Sequence, residues 1–278
     1  MAAGDDTGAT PHPVEPAQKK KRRKRPKGER RRDKIKALAV KVMPVPLWVR
    51  TGDLPVRAAS GLVMVAITAA ALWAGDYWWS AFAMLVGLVT LGEWVRIIWR
   101  MTKQPLRRVL GVALGVIYVG FGAYVLAVLG NAQVLGMPEG MPAWPVIAII
   151  AAVIATDTGA YFSGRTIGGP KIAPKISPSK TWAGLAGGMI ASGAVMAVIA
   201  GYATDRSVLL AAVVGAGAAV IAQAGDFLES GMKRRAALKD SGNLIPGHGG
   251  FFDRVDGLIA VSWVVGIIIL FALFNLEI

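Results

Sequence analysis

The chain has 278 residues, of which 54% are hydrophobic and 17% are charged, and its mean hydropathy is +0.51. This composition is too apolar for an ordinary water-soluble domain, and it predicts several membrane-spanning helices. The chain contains no cysteine, which excludes disulfide bonds and thiolate metal sites, and its two histidines cannot build a zinc site alone.

Much of the formal net charge of +14 lies in one basic stretch near the N-terminus, at residues 19–27 and 30–36. We interpret residues 1–50 as a largely disordered cytoplasmic tail and interfacial segment, followed by a membrane domain at 51–278. A polybasic tail of this kind fixes topology and is attracted to anionic headgroups. Nucleic-acid binding is the alternative, but no soluble domain accompanies the tail. Residues 1–18 are polar and do not resemble a signal peptide, so we expect the tail to be retained.

Apolar segments of bilayer-spanning length predict about seven transmembrane helices. They are residues 58–74, 78–98, 109–129, 146–163, 184–203, 207–228 and 258–275. The loops at 99–108, 164–183 and 229–257 are rich in Lys and Arg, whereas the connections on the opposite side carry only Arg206. The positive-inside rule places the three basic loops in the cytoplasm. We therefore expect an all-α, polytopic transmembrane helical bundle in the inner (plasma) membrane, with its N-terminus and its polar loops on the cytoplasmic side.

Carboxylates concentrate at the end of the sixth predicted span and at the start of the seventh. Asp226 and Glu229 lie three residues apart, and Asp253 and Asp256 repeat this spacing, so that each pair shares a helix face. Carboxylates near the hydrocarbon boundary are costly unless they are paired or bound to metal. Such hard oxygen ligands suit Mg²⁺ together with substrate phosphates. For each acid alone, a simple ion pair, such as Asp226 with Lys233, is the alternative.

Basic residues and a glycine-rich turn stand between these acids. Lys233, Arg234, Lys239 and Arg254 are suited to neutralise charge on phosphate groups. His248 lies in a Pro-Gly-His-Gly-Gly run whose backbone can approach a ligand closely. For this histidine we favour a turn-stabilising or phosphate-binding role over that of a general base or a metal ligand.

A second polar cluster follows the fourth predicted span. Its members are Asp157, Tyr161, Arg165, Ser177, Ser179, Lys180 and Thr181. Hydroxyls, backbone N–H groups and a lysine ahead of a helix form a natural anion site and suggest binding of nucleotide phosphates. Ordinary helix caps in a basic loop are the alternative, and the Walker A pattern is absent. Asp157 is either a further site carboxylate or an ion-pair partner of Arg165.

These residues resemble the signature of the phosphatidate cytidylyltransferase family. The matching residues, in order and spacing, are Ser230, Lys233, Arg234, Lys239, Asp240, His248, Gly249, Gly250, Asp253, Arg254 and Asp256. The resemblance is close over roughly residues 150–260, although Ala183 stands where the family commonly has Glu. It implies transfer of CMP from CTP to phosphatidic acid, with CDP-diacylglycerol and pyrophosphate as products. It also implies a requirement for Mg²⁺, with the number of metal ions left open, and a homodimer surrounded by membrane lipids.

The resemblance also implies roles for the individual residues. The expected metal ligands are Asp226, Asp253 and Asp256, with Glu229 as a further candidate. The expected phosphate-binding cations are Lys233, Arg234, Lys239 and Arg254, and the nucleotide-binding residues are Ser177, Ser179, Lys180 and Thr181. No covalent nucleophile is needed, because the lipid phosphomonoester is largely ionised and attacks the α-phosphorus directly.

Two other functions compete with this interpretation. A CTP-dependent kinase acting on a polyprenol or another lipid alcohol would share the nucleotide and metal groups, but it would need a base for its hydroxyl acceptor. An ion or metabolite transporter would carry acids along a path through its spans. Here the acids gather at one cytoplasmic rim, with Glu93 as the nearest exception.

Overall fold

The structure, a computed structural model, describes residues 54–131, 134–135, 143–203, 207–245 and 249–276. The predicted basic tail and His248 lie outside the described residues. The expectations for both therefore stay predictions.

The described part of the chain consists of seven helices and one short hairpin. The helices are α1 (Leu54–Ala74), α2 (Asp76–Met101), α3 (Pro105–Leu129), α4 (Trp144–Thr166), α5 (Trp182–Ala203), α6 (Val208–Arg235) and α7 (Phe252–Leu276). Strands β1 (Lys171–Ala173) and β2 (Ser177–Thr181) pair antiparallel between α4 and α5. The predicted all-α bundle is confirmed. The hairpin was not predicted, because strands of three and five residues are too short to show a periodic pattern.

Within the described residues, the six helices from α2 to α7 are long and apolar enough to cross a membrane. The first helix contributes a shorter apolar stretch, Ala58–Ala74. Each of the seven predicted spans thus corresponds to a helix, and the span count is six or seven. Large apolar side chains such as Trp73, Leu209 and Phe271 are exposed on the bundle surface, as expected of side chains that face lipid.

The last two helices extend beyond their predicted spans and carry the acids. Helix α6 continues past residue 228 to Arg235, and α7 begins at Phe252 rather than at 258. Hydropathy does not register these ends because they are polar. Three basic residues in the last turn of α6 are also favourable at a helix C-terminus.

Close packing of α6 against α7 brings the acids of the two helices together. A Cβ at Gly225 would lie 2.6 Å from the carbonyl oxygen of Asp256, so only glycine permits this approach. At the start of α7, Phe252 is 1% exposed and packs against Trp94 of α2, with ring centroids 5.6 Å apart. Burial of a phenylalanine stabilises the fold by about 2 to 3 kcal/mol and anchors the start of α7 to α2.

Candidate active site

Three carboxylates from α6 and α7 converge at one point. Asp226, Glu229 and Asp256 each offer an oxygen, and these oxygens lie within 4.8 Å of one another. Glu229 is 1% exposed, and its Oε1 atom has no hydrogen-bond partner among the described residues. A buried carboxylate oxygen without a donor is costly unless a cation compensates it. The three residues therefore fit a cation that prefers hard oxygen ligands, such as Mg²⁺.

A lysine joins this cluster to the start of α7. The Nζ atom of Lys233 lies 2.6 Å from Oε2 of Glu229 and 2.5 Å from Oδ1 of Asp253. The three side chains are only 14%, 2% and 9% exposed, so the bridge is largely shielded from water. Lys233 was predicted to hold phosphate, and its ammonium here is shared by two carboxylates.

Asp253 also holds the loop that precedes α7. Its Oδ2 atom accepts hydrogen bonds from the backbone N–H groups of Ser241, at 3.0 Å, and Gly250, at 2.9 Å. Among the described residues, Asp253 is not one of the three carboxylates whose oxygens converge within 4.8 Å. Its predicted role as a metal ligand stays a prediction.

The second polar cluster reaches the first through the hairpin. Lys180 on β2 extends its Nζ atom to within 2.5 Å of Oδ2 of Asp226. Asp157 on α4 interacts electrostatically with Lys180, Asp226 and Arg254. The sequence left open whether Asp157 belongs to the site or pairs with Arg165, and its membership of the site stays a prediction.

Arg165 lies beside an aromatic side chain at the end of α4. It donates a hydrogen bond to the hydroxyl of Tyr161 at 3.1 Å, and its guanidinium lies 5.9 Å from the centroid of that ring. Both side chains are exposed. Their predicted role in substrate binding stays a prediction.

One hydroxyl group of the hairpin has a structural role in the described residues. Thr181 caps α5, because its Oγ1 atom accepts a hydrogen bond from the backbone N–H of Gly184 at 3.0 Å. Ser177 is buried, whereas Ser179 is exposed. Nucleotide binding by these residues stays a prediction.

Three of the predicted phosphate-binding cations are exposed in the structure. Arg234 donates a hydrogen bond from Nε to the carbonyl oxygen of Ile176 at 3.2 Å, which ties the hairpin to the end of α6. Lys239 and Arg254 are also exposed. All three remain accessible to an anionic ligand.

Glu93 contacts the site from the side of α2, and nothing in the sequence predicts this position. It is 5% exposed and accepts three hydrogen bonds from the loop before α7 and from the first residue of that helix. The sequence signal for it was a lone acid in an apolar span, which by default marks a functional residue. Its partners lie at the rim formed by the other acids, so its position lends no support to a transport path.

A model of the Cytidylyltransferase family matches residues 95–272. A curated relative named phosphatidate cytidylyltransferase, from Brucella suis biovar 1 (strain 1330), is 40% identical over 150 residues, which cover 54% of this chain and 53% of the relative. A protein of the same name from Rickettsia bellii (strain RML369-C) is 32% identical over 220 residues, which cover 76% of this chain and 88% of the relative. The chain thus spans about half the length of the Brucella relatives that it matches and most of the length of the Rickettsia relatives. The extent of these matches shows that the chain belongs to the Cytidylyltransferase family.

Proposed function

We propose that the protein transfers CMP from CTP to phosphatidic acid and thereby forms CDP-diacylglycerol and pyrophosphate. The observation that carries the proposal is the convergence of Asp226, Glu229 and Asp256 beside Lys180, inside the region matched by the family model. The names of the relatives support the same reaction. The alternative kinase and transporter functions have no comparable support.

The carboxylate cluster is suited to hold Mg²⁺. Asp226, Glu229 and Asp256 would supply the oxygen ligands, and Asp253 borders them through Lys233. When bound, the metal would neutralise negative charge on the reacting phosphate and on the departing pyrophosphate.

Cations around the cluster would orient the triphosphate of CTP. The ammonium of Lys180 already contacts Asp226, so a phosphate bound beside the carboxylates would lie next to this positive charge. Arg234, Lys239 and Arg254 are exposed and would bind the outer phosphates or the headgroup of the lipid. Arg234 also fixes the hairpin that carries Lys180, which makes it a positioning residue as well.

The reaction itself needs little covalent help from the protein. An oxygen of the lipid phosphomonoester would attack the α-phosphorus of CTP in line, while the bond from that phosphorus to the bridging oxygen breaks and pyrophosphate departs. The attacking oxygen is already ionised, so no base is needed to remove a proton. Holding the two phosphates in line and shielding them from water would supply most of the rate enhancement.

The location of the site suits one soluble and one membrane-bound substrate. The acids lie at the ends of α6 and α7 that the positive-inside rule assigns to the cytoplasm, so we propose that CTP enters from the cytoplasm and the lipid enters sideways from the inner membrane. The homodimer implied by the family resemblance is likewise a proposal.

The test uses the purified full-length chain with phosphatidic acid micelles, Mg²⁺ and CTP labelled at the α-phosphorus. We expect label in CDP-diacylglycerol, and we expect Asp256→Asn to lower the rate by roughly 100-fold, because it weakens the metal site. Asp76→Asn, at the opposite end of α2, is the matched carboxylate control and should retain the wild-type rate. A folded wild-type protein that forms no CDP-diacylglycerol, but phosphorylates a lipid alcohol, would establish the kinase instead.

A further inference from the structure

We propose that Glu93 is a positioning residue that fixes the start of α7 and thereby sets the position of Asp253 and Asp256 against α6. This inference rests on the proposed metal-dependent function, and it adds a residue outside the family signature.

The hydrogen bonds that Glu93 accepts from the described residues all come from the segment that leads into α7. Its Oε2 atom accepts from the hydroxyl of Ser241 at 2.6 Å and from the backbone N–H of Phe252 at 2.9 Å. Its Oε1 atom accepts from the backbone N–H of Phe251 at 3.1 Å. Both oxygens therefore accept hydrogen bonds, and the carboxylate ties Ser241 and the start of α7 to α2.

The contact acts as a cap supplied by another helix. The first backbone N–H groups of a helix have no partner within the helix, and a negative charge is favourable at that end. Phe252 begins α7, and Glu93 satisfies its N–H group and that of the residue before it. The carboxylate thus determines where α7 begins and how its first turn is oriented.

That first turn carries two of the site acids. Asp253 follows Phe252 directly, and Asp256 lies one turn further on the face that meets α6. A shift at the start of α7 would move both acids relative to Asp226. Asp253 holds the same loop from the other side through its bond to the backbone N–H of Ser241, so the loop is fixed between the two carboxylates.

The surroundings leave little space for any other arrangement. A Cβ at Gly250 would collide with Glu93 and with the Ser241 hydroxyl, and a Cβ at Gly242 would collide with Glu93. The two glycines therefore allow the loop backbone to reach the carboxylate. The loop backbone is thus shaped to contact the Glu93 carboxylate.

Glu93→Gln is the informative variant because it preserves size while it removes the negative charge and changes the donor and acceptor pattern. Glutamine has one side-chain oxygen, so whichever way the amide is turned, its NH₂ group faces at least one backbone N–H. Trp79→Phe is the matched control. Trp79 is buried on the same helix, about 21 Å from Glu93 along the axis, and it donates a hydrogen bond to the carbonyl oxygen of Leu126 at 2.7 Å. Loss of this hydrogen bond should destabilise the fold without changing the contacts of the loop before α7.

The first readout is a distance that does not depend on metal or activity. The chain contains no cysteine, so Leu244→Cys in the loop and Leu106→Cys on α3, both at exposed side chains, give two specific sites for spin labels. We expect one narrow distance distribution in the chain with Glu93 and in Trp79→Phe, and a broadened or shifted distribution in Glu93→Gln. If Glu93→Gln does not fold, Ser241→Ala removes one of the three donors and should give a smaller change in the same direction.

The second readout is the Mn²⁺ affinity of the unlabelled full-length protein, measured from the electron paramagnetic resonance signal of free Mn²⁺. We expect Glu93→Gln to weaken binding roughly 10- to 100-fold, as is typical when support of metal ligands is lost, and Trp79→Phe to leave it unchanged. Unchanged Mn²⁺ affinity in Glu93→Gln, whatever its thermal stability, would overturn the proposal. If the wild-type protein bound no Mn²⁺ and formed no CDP-lipid, the proposed function would fail, and the distance measurement would still decide whether Glu93 fixes the loop that leads into α7.

Discussion

Removal of the Lys233 ammonium should destabilise the protein more than the loss of any exposed lysine. The ammonium lies 2.6 Å from Glu229 and 2.5 Å from Asp253, and all three side chains are largely buried. At an effective dielectric constant of about 20, each contact has a gross attraction of about 6 kcal/mol, most of which is offset by the cost of removing the charges from water. Lys233→Met leaves both acids facing each other without their cation, and breaking a buried pair in this way costs about 3 to 5 kcal/mol.

The assay is thermal unfolding of the purified protein in detergent. For a domain of this size, about 3 to 5 kcal/mol corresponds to a fall in Tm on the order of 10 °C. Lys239→Met, at an exposed lysine of the loop that follows α6, is the control and should change Tm by no more than about 1 to 2 °C. The double variant Lys233→Met with Glu229→Gln should recover part of the loss, because one of the two facing negative charges is removed. Equal Tm values for Lys233→Met and Lys239→Met would refute the reasoning.

Three further variants test other parts of the site. Gly250→Ala should lower stability by about 1 to 3 kcal/mol, because its Cβ would collide with Glu93; Gly217→Ala, which has open space, should cost nothing in the same Tm measurement, and equal Tm values for the two would contradict the packing argument. Thr181→Val removes the cap of α5 and should cost about 1 kcal/mol in thermal unfolding, whereas a Tm equal to that of the wild type would show that the cap is dispensable. Lys180→Met should raise the KM for CTP by at least about tenfold, and steady-state kinetics with an unchanged KM would remove Lys180 from the nucleotide site.

Local spacing was enough to predict part of the site. The separation of three residues predicts that Asp226 and Glu229 share a helix face, and in the structure their oxygens lie near that of Asp256. The helices themselves followed from apolar length, since a lipid environment leaves few other backbone structures. Helix ends were less accurate because polar turns at the ends of a span carry no hydropathy signal.

Contacts between distant segments could not be predicted in this way. The pairing of Lys180 with Asp226 depends on the hairpin, whose strands have three and five residues. Their sequence shows no alternation of apolar and polar residues that would predict a strand. Glu93 and Ser241 are 148 residues apart, and nothing local to either residue identifies the other. A buried acid in a span signals that some partner exists, but only the packing of α2 against the start of α7 shows which one.

The separation between Glu93 and its donors also has a consequence for biogenesis. Synthesis proceeds at about 5 to 20 residues per second, so the 148 residues from Glu93 to Ser241 take about 7 to 30 s to emerge. During that interval α2 can enter the membrane while its acid has none of the partners that it has in the folded chain. An unpaired acid in hydrocarbon is costly, so the end of α2 that carries Glu93 would stay near the membrane surface or beside the insertion machinery until α7 arrives. A nascent chain that stops before residue 241 would retain this polar defect, which distinguishes it from the finished protein.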